Sequence, residues 1–394
     1  MQIQQVTIQG ADIAPSDVAP LASLQPHLVL VFASLEAMQA LDADRIRALI
    51  PQAQWVGCST AGEISSQGVG DGSIVITALR FRQPAFRVAS VELADMADSL
   101  AAGQRLAARL AHPDLRHVLV LGQGAGINGS ALVDGLTTTL GSGGVVVVVS
   151  GGLAGDGGRF TGARVWGPDG ISATSVVGIG FDGPGWHIGH GSMGGWQRFG
   201  PVRTVTRSAG NVLYELDGER ALDIYKRYLG DYAAQLPASG LLFPWSVLGS
   251  DAQAEGITRT LLGISEADGS LIMAGDIPQG GKLQLMHASV DALVDVAEQA
   301  AETAAHTASQ AVAANPPSTP DQALALLVSC VGRKLVMGAR VDEEVEAVGQ
   351  MLGQHTTLAG FYSNGEISPH IHSTNCKLHN QTMTITLLSE RSAA

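Results

Sequence analysis

The chain has 394 residues, 45% hydrophobic and 15% charged, enough for two or three domains with buried cores. Its formal net charge of −13 repels phosphate backbones and excludes nucleic acid as an expected partner. Three distant cysteines, Cys58, Cys330 and Cys376, form no CxxC pair and exclude a disulfide framework or a structural zinc site.

The N-terminus "MQIQQVTIQG" lacks a basic n-region and an apolar h-region, so no signal peptide is expected. No apolar run approaches the ~20 residues of a membrane span. A cytoplasmic protein without a membrane partner is therefore expected. In chain order, "HLVLVFAS" (27–34) reads as a buried strand. "SLEAMQALDADRIRALI" has helical spacing, with Ser34 as its cap. "WVGCSTAGEIS" and "SIVITALRF" complete a strand–helix–strand–turn–strand unit.

A second unit begins at "HVLVLGQGAG" (117–126). It continues through the helical "GSALVDGLTTTL", the strand-and-turn "VVVVVSGGLAGDGGRF" and the strand "SVVGIGF". A different region follows: a β-to-helix passage in "GNVLYELDGERALDIYKRYLGDY", then a meander with turns at Asp268-Gly269 and Pro278–Gly281. "VDALVDVAEQAAETAAHTASQAVAA" has the period of a long amphipathic helix. "NPPSTP" (315–320) ends it in a corner or linker. The last unit runs from "ALALLVSCVGR" through "DEEVEAVGQMLG" and "LAGFYSNGEIS" to "QTMTITLLS".

The first and last units share a segment. "GCSTAGEIS" (57–65) and "GFYSNGEIS" (360–368) align without a gap, and Ala154-Gly155-Asp156 is a weaker third copy. The repeat is one of supersecondary units, so an α/β fold of repeated β-α-β-β units is expected. The turns are expected to converge, with their carboxylates within about 20 Å, the scale of a shared small-molecule pocket.

The candidate ligand-binding residues lie on those turns: Ser59, Thr60, Gly62, Glu63, Asp156, Ser363, Asn364, Gly365 and Glu366. An acid after Gly at a strand end also serves as a turn cap, so both roles stay open. Gly124-x-Gly126-x-x-Gly129 has a dinucleotide fingerprint's position, but no acid follows at the end of the next strand. GxSxG is absent, and Cys58 reads as a small buried residue. "GWHIGHGSMGGW" gathers His187, His190 and Met193, and "SPHIHSTNCKLHN" gathers His370, His372, Cys376 and His379. Each offers metal or haem-iron ligands, but neither has recognised metal spacing. His287 is a third, isolated candidate.

"GCSTAGEI", "GGLAGDG", "AGDIP", "GFYSNGEISP" and "CKLHNQTMTITLLSE" resemble the FIST family. "LVSCVGRKLVMGARVDEEVEA" and "GSMGGWQRFGPVRTVTRS" resemble its stand-alone bacterial branch. The resemblance implies two FIST-type halves with mixed sheets packed by helices: a lead-in over 1–25, an N-terminal domain over 26–220 and a C-terminal domain over 221–390. It also implies a cytoplasmic, non-enzymatic ligand-binding sensor in signal transduction, and it carries Cys376 and His379 over as ligand-site residues. For the stand-alone branch it implies haem b, nitric oxide as the ligand, and a partner histidine kinase or cyclic-di-GMP enzyme. The branch's haem ligand is a histidine; His190 is placed first, His187 and His287 next. Two alternatives stay open, a haem-free sensor of an amino acid or other metabolite, and a hydrolase or oxidoreductase working through Cys58, Glu63 and Glu366.

Overall fold

The computed structural model describes residues 1–10, 12–141, 147–160, 162–248, 256–310, 322–369 and 376–390. The Pro-rich corner at 315–320 and residues His370 and His372 lie outside them.

Three units of one design account for most of the chain. The first contains β1 (Gln2–Gln9), α1 (Pro15–Ser23), β2 (Leu28–Ser34), α2 (Leu35–Ala40), α3 (Ala43–Arg47), β3 (Gln54–Thr60), β4 (Glu63–Ser65), β5 (Gly68–Gly70) and β6 (Ser73–Arg80). The second contains β7 (Phe86–Glu92), α4 (Ser99–Leu110), β8 (Leu115–Gly122), α5 (Gly129–Gly141), β9 (Val148–Leu153), β10 (Val165–Gly167), β11 (Gly170–Ser172) and β12 (Ser175–Asp182). The third opens with β13 (Trp186–Met193) and is then interrupted. The interruption holds β14 (Gln197–Ala209), β15 (Val212–Leu216), β16 (Glu219–Arg220), α6 (Ala221–Leu229), β17 (Trp245–Leu248), β18 (Ile257–Arg259), β19 (Leu261–Ser265), β20 (Ser270–Met273) and β21 (Lys282–His287). The third unit resumes with α7 (Val290–Gln310), β22 (Ala323–Cys330), α8 (Val331–Met337), α9 (Asp342–Leu352), β23 (Thr356–Ser363), β24 (Gly365–Pro369), β25 (Cys376–His379) and β26 (Met383–Glu390).

The expected α/β architecture of mixed sheets packed by helices is what the chain forms. The sheet orders are β1-β6-β2-β3-β10-β11, β7-β12-β8-β9-β24-β25 and β13-β26-β22-β23-β4-β5. Each sheet therefore takes four strands from one unit and borrows the hairpin of another. The exchange is cyclic, so no unit closes its own sheet. The inserted strands form a fourth sheet, packed on α6 around Leu222, Tyr225 and Trp245.

Within each sheet one parallel pair has a glycine at the same register. Gly57, Gly151 and Gly360 pair with Val31, Val120 and Leu327. A Cβ at any of the three would overlap the carbonyl oxygen of its partner residue. Gly360→Ala is accordingly expected to lower stability by about 1–3 kcal/mol through overpacking. Gly141→Ala, where nothing among the described residues lies within 4 Å, is the control. Urea unfolding of the two variants checks this; equal midpoints would refute it.

The single helix expected after Ser34 is two. Ser34 caps α2 through its Oγ, as expected. The chain then leaves the helix at Leu41, and the Asp42 carboxylate caps α3 by accepting from Arg45 N–H. The side-chain acceptor offers the backbone an alternative to continuing the helix. The expected amphipathic helix is α7, whose face of Leu293, Ala297, Ala300, Ala301, Ala304 and Ala308 is buried. Small side chains let it approach β13, where a Cβ on Gly189 or Gly191 would strike the carbonyls of Ala304 and Ala300.

Candidate functional site

The three strand-end turns meet and hydrogen-bond to one another. Ala61 N–H donates to Tyr362 O (2.8 Å), and Tyr362 N–H donates to Gly62 O (2.9 Å). Gly155 N–H donates to Ser59 O (2.9 Å), and Asn364 N–H donates to Leu153 O (3.0 Å). The Ser59 hydroxyl donates to Gly155 O (2.7 Å).

Glu63 and Glu366 occupy matching positions in matching networks. The Thr60 hydroxyl donates to Glu63 Oε1, and the Ser363 hydroxyl to Glu366 Oε1 (2.5 Å). The other carboxylate oxygen accepts from Ser73 N–H and Oγ (3.0 and 2.7 Å), or from Thr382 N–H and Oγ1 (3.1 and 3.0 Å). Gly62 and Gly365 donate their N–H groups to the same Thr60 and Ser363 hydroxyls. Both acids are buried, and burial raises the pKa of each, that of Glu366 to about 7.

Asp156 differs. Phe361 pairs with Glu63, Gly152 with Glu366 and Cys58 with Val165. Val165, not Asp156, thus holds the glutamate's register in the second unit. Asp156 clips its own loop, its carboxylate accepting from Phe160 N–H (2.9 Å) and Gly162 N–H (3.0 Å).

Cys376 is buried, its sulfur accepts from Val149 N–H, and burial pushes its thiol up to about 11. His379 reaches Ser368 O through Nε2 (3.2 Å) and lines a cleft of ≈ 350 Å³. That cleft lies where β13, α7, β25 and the inserted sheet meet, and Ser192, Trp196, Arg198, Gln299 and Thr382 contribute to it. Thr382 joins its wall to Glu366 behind.

The histidines placed by the haem expectation separate. His190 lies within strand β13. It lines a second cleft of ≈ 350 Å³ with His117, Trp186, Ile188, Pro184 and Arg116. His187 belongs to the opposite face of β13, the face Gly189 and Gly191 present to α7. His287 is exposed at the end of β21, edge-on to Phe199 at 5.3 Å.

Internal comparison of the units singles out this second cleft. Sheet register makes Leu28, His117 and Leu324 equivalent, paired with Leu79, Phe181 and Leu388. The same counting makes Gln5, Val88 and His190 equivalent, across from Thr77, Ile179 and Thr386. His117 is therefore a departure from a repeated buried leucine, and His190 holds a half-buried place taken by Gln5 and Val88 in the other units. His117 was not among the sequence candidates, although overlaying residues 28–34, 117–123 and 324–330 sets it against two leucines. Its Nε2 meets Ser150 Oγ (2.9 Å), which also accepts from Thr386 Oγ1 (2.7 Å). Its Nδ1 is buried without a partner among the described residues. Burial pushes His117 down to about 3, with His190 adding to the shift, and burial also lowers His190. Both imidazoles are therefore held neutral, the form that ligates a metal.

Half-buried His190, beside Trp186, Ile188 and Pro184 and near the exposed Arg116 cation, is a donor set of the kind that holds a haem and its carboxylates; the free nitrogen of His117 is buried and not open to the cleft. Among the described residues no group of three or more His, Cys, Asp or Glu is set to hold a bare metal ion. Among them, too, no helix is long and apolar enough to cross a membrane.

Residues 27–219 match the FIST N domain, and residues 221–369 match the FIST C domain. No curated protein matches the chain. Among solved structures it is similar to a cyanuric acid hydrolase from A. caulinodans, at 12% identity over 99% of each chain with a TM-score of 0.36. A second cyanuric acid hydrolase is similar at 9% identity, again over 99% of each chain, with a TM-score of 0.34. Likenesses of that degree carry no argument about activity.

Proposed function

The chain belongs to the FIST family, whose domains are sensory ligand-binding modules of signalling proteins, and we propose that it senses through haem b held by His190. The observation that carries this reading is the second cleft, where buried His117 replaces a leucine of the repeat and half-buried His190 takes the place of Gln5 and Val88. His190 is the proposed iron ligand, His117 a second imidazole on the same cleft, and Arg116 a cation for the haem carboxylates. When bound, the iron supplies a coordination position for a diatomic ligand, here nitric oxide. The change is read by a partner histidine kinase or cyclic-di-GMP enzyme in the cytoplasm. A ligand shifts such a partner only through different affinities for two states.

The turn acids act as internal clips and lend no support to the hydrolase or oxidoreductase alternative. Glu63 and Glu366 spend both carboxylate oxygens on fixed donors inside the protein.

Protein prepared with added haem is expected to show a Soret band that shifts with nitric oxide. His190→Ala is expected to lose the band, and His287→Ala to keep it. A band unchanged in His190→Ala would refute this site. The polar cleft at His379 favours one alternative, an amino acid or similar metabolite bound between Arg198 and the hydroxyls of Ser192 and Thr382. That reading predicts a thermal shift with a member of a metabolite panel, since a ligand for the folded state raises stability.

A further inference from the structure

The three unit sheets enclose a separate small cavity of ≈ 20 Å³. Its wall is made from two layers of the internal repeat. Leu30, Leu119 and Leu326 are equivalent by register, since they face Thr77, Ile179 and Thr386 on the neighbouring strands. The adjoining layer is Leu28, His117 and Leu324. Every residue of the wall is buried.

Only two side chains of the wall carry polar atoms, and both are turned to other work. The Thr386 hydroxyl donates to Ser150, and His117 Nε2 meets the same Ser150 hydroxyl. The one polar atom of the wall without a partner is His117 Nδ1. A buried water needs two to four polar partners, and one nitrogen is too few. The volume nevertheless exceeds the ~10–15 Å³ needed to hold one water, so it leaves room for a single guest of about that size. Apolar cavities stay dry, and larger ones of this lining take apolar guests.

We propose that this cavity is a binding site for one small, uncharged, apolar molecule of the size of a diatomic gas. It goes beyond the haem reading and does not depend on it. His117 lines both this cavity and the His190 cleft, so a single imidazole stands between the two spaces.

The test uses the full chain without haem, so its failure leaves the haem reading standing. Crystals pressurised with krypton are expected to show one anomalous peak bounded by Leu30, Leu119 and Leu326. Leu119→Phe, which fills the space, is expected to lose it. Solution measurement on the unaltered protein does not rely on that variant folding. Under dioxygen pressure, methyl relaxation at Leu30, Leu119 and Leu326 is expected to exceed that at Leu21, a fully buried leucine of another cluster. Equal relaxation at all four, or an ordered water bound to His117 Nδ1 in place of krypton, would overturn the proposal.

Discussion

Replacing Arg333 with methionine is expected to destabilise the protein by about 3–5 kcal/mol, the cost of stranding a buried partner charge. Arg333 and Glu344 have no solvent exposure. Arg333 Nη2 donates to Glu344 Oε2 (2.7 Å) and Nε to the same oxygen (3.3 Å). Glu344 Oε1 accepts from Tyr362 Oη (2.6 Å) and Ser329 Oγ (3.0 Å). The guanidinium also holds Gly194 O (2.7 Å) and Leu293 O (2.9 Å). It therefore ties the start of α7 and the loop after β13 to α8 and α9 within the third unit. Removing it strands the carboxylate and takes a charged donor from the Gly194 and Leu293 carbonyls. Replacing both charges with apolar groups of similar volume is often neutral. Arg333→Met with Glu344→Leu is thus expected to recover much of the loss. Urea unfolding of both variants decides: the single change lowers the midpoint strongly, the double less. A single change costing under about 1 kcal/mol would show that the pair is not held as described.

Element order and the repeat were legible because each depends on local pattern. Buried parallel strands read as continuous apolar runs, and α7 declares itself by its period. The kinship of Gly57–Ser65 and Gly360–Ser368 was visible because turn geometry and carboxylate clip need the same residues twice. The exchange of hairpins was not legible. Glu63 pairs with Phe361 and Glu366 with Gly152, contacts made across units, and no local pattern reports which sheet a hairpin joins. The register of Asp156 was misleading for a related reason. The second unit carries extra residues between β9 and β10, so its Gly-acid turn comes before the position at which Val165 pairs. His117 escaped because a histidine opening an apolar run reads as a strand boundary. Only the register against Leu28 and Leu324 shows it to be interior.

The stability difference between the unaltered protein and Glu366→Gln is expected to change by about 3 kcal/mol between pH 4.5 and 7.5. The carboxyl of Glu366 is raised by burial from 4.5 to about 7, against the pull of Ser363 and Thr382. Within that window the folded chain keeps a proton that the unfolded chain releases, so raising the pH favours unfolding. Each pKa unit corresponds to about 1.4 kcal/mol, which sets the size. Below 4.5 both states are protonated and the effect is absent; above about 7 its full cost is present. The histidines oppose it. His117, lowered from 6.5 to about 3, is neutral when folded and charged when unfolded across that interval. Its contribution is present above pH 6.5 and is lost as the pH falls towards 3; His190 shifts in the same direction. The opposed slopes overlap between 4.5 and 6.5, so the total profile of the unaltered protein is flattened there. Subtracting the Glu366→Gln profile removes the histidine part and leaves the carboxyl. Urea unfolding at half-unit steps of pH measures both curves. A difference independent of pH would mean that Glu366 is ionised in the folded protein throughout the range. The Thr382 hydroxyl joins this carboxyl to the His379 cleft, so the same titration then reports on the wall of that cleft.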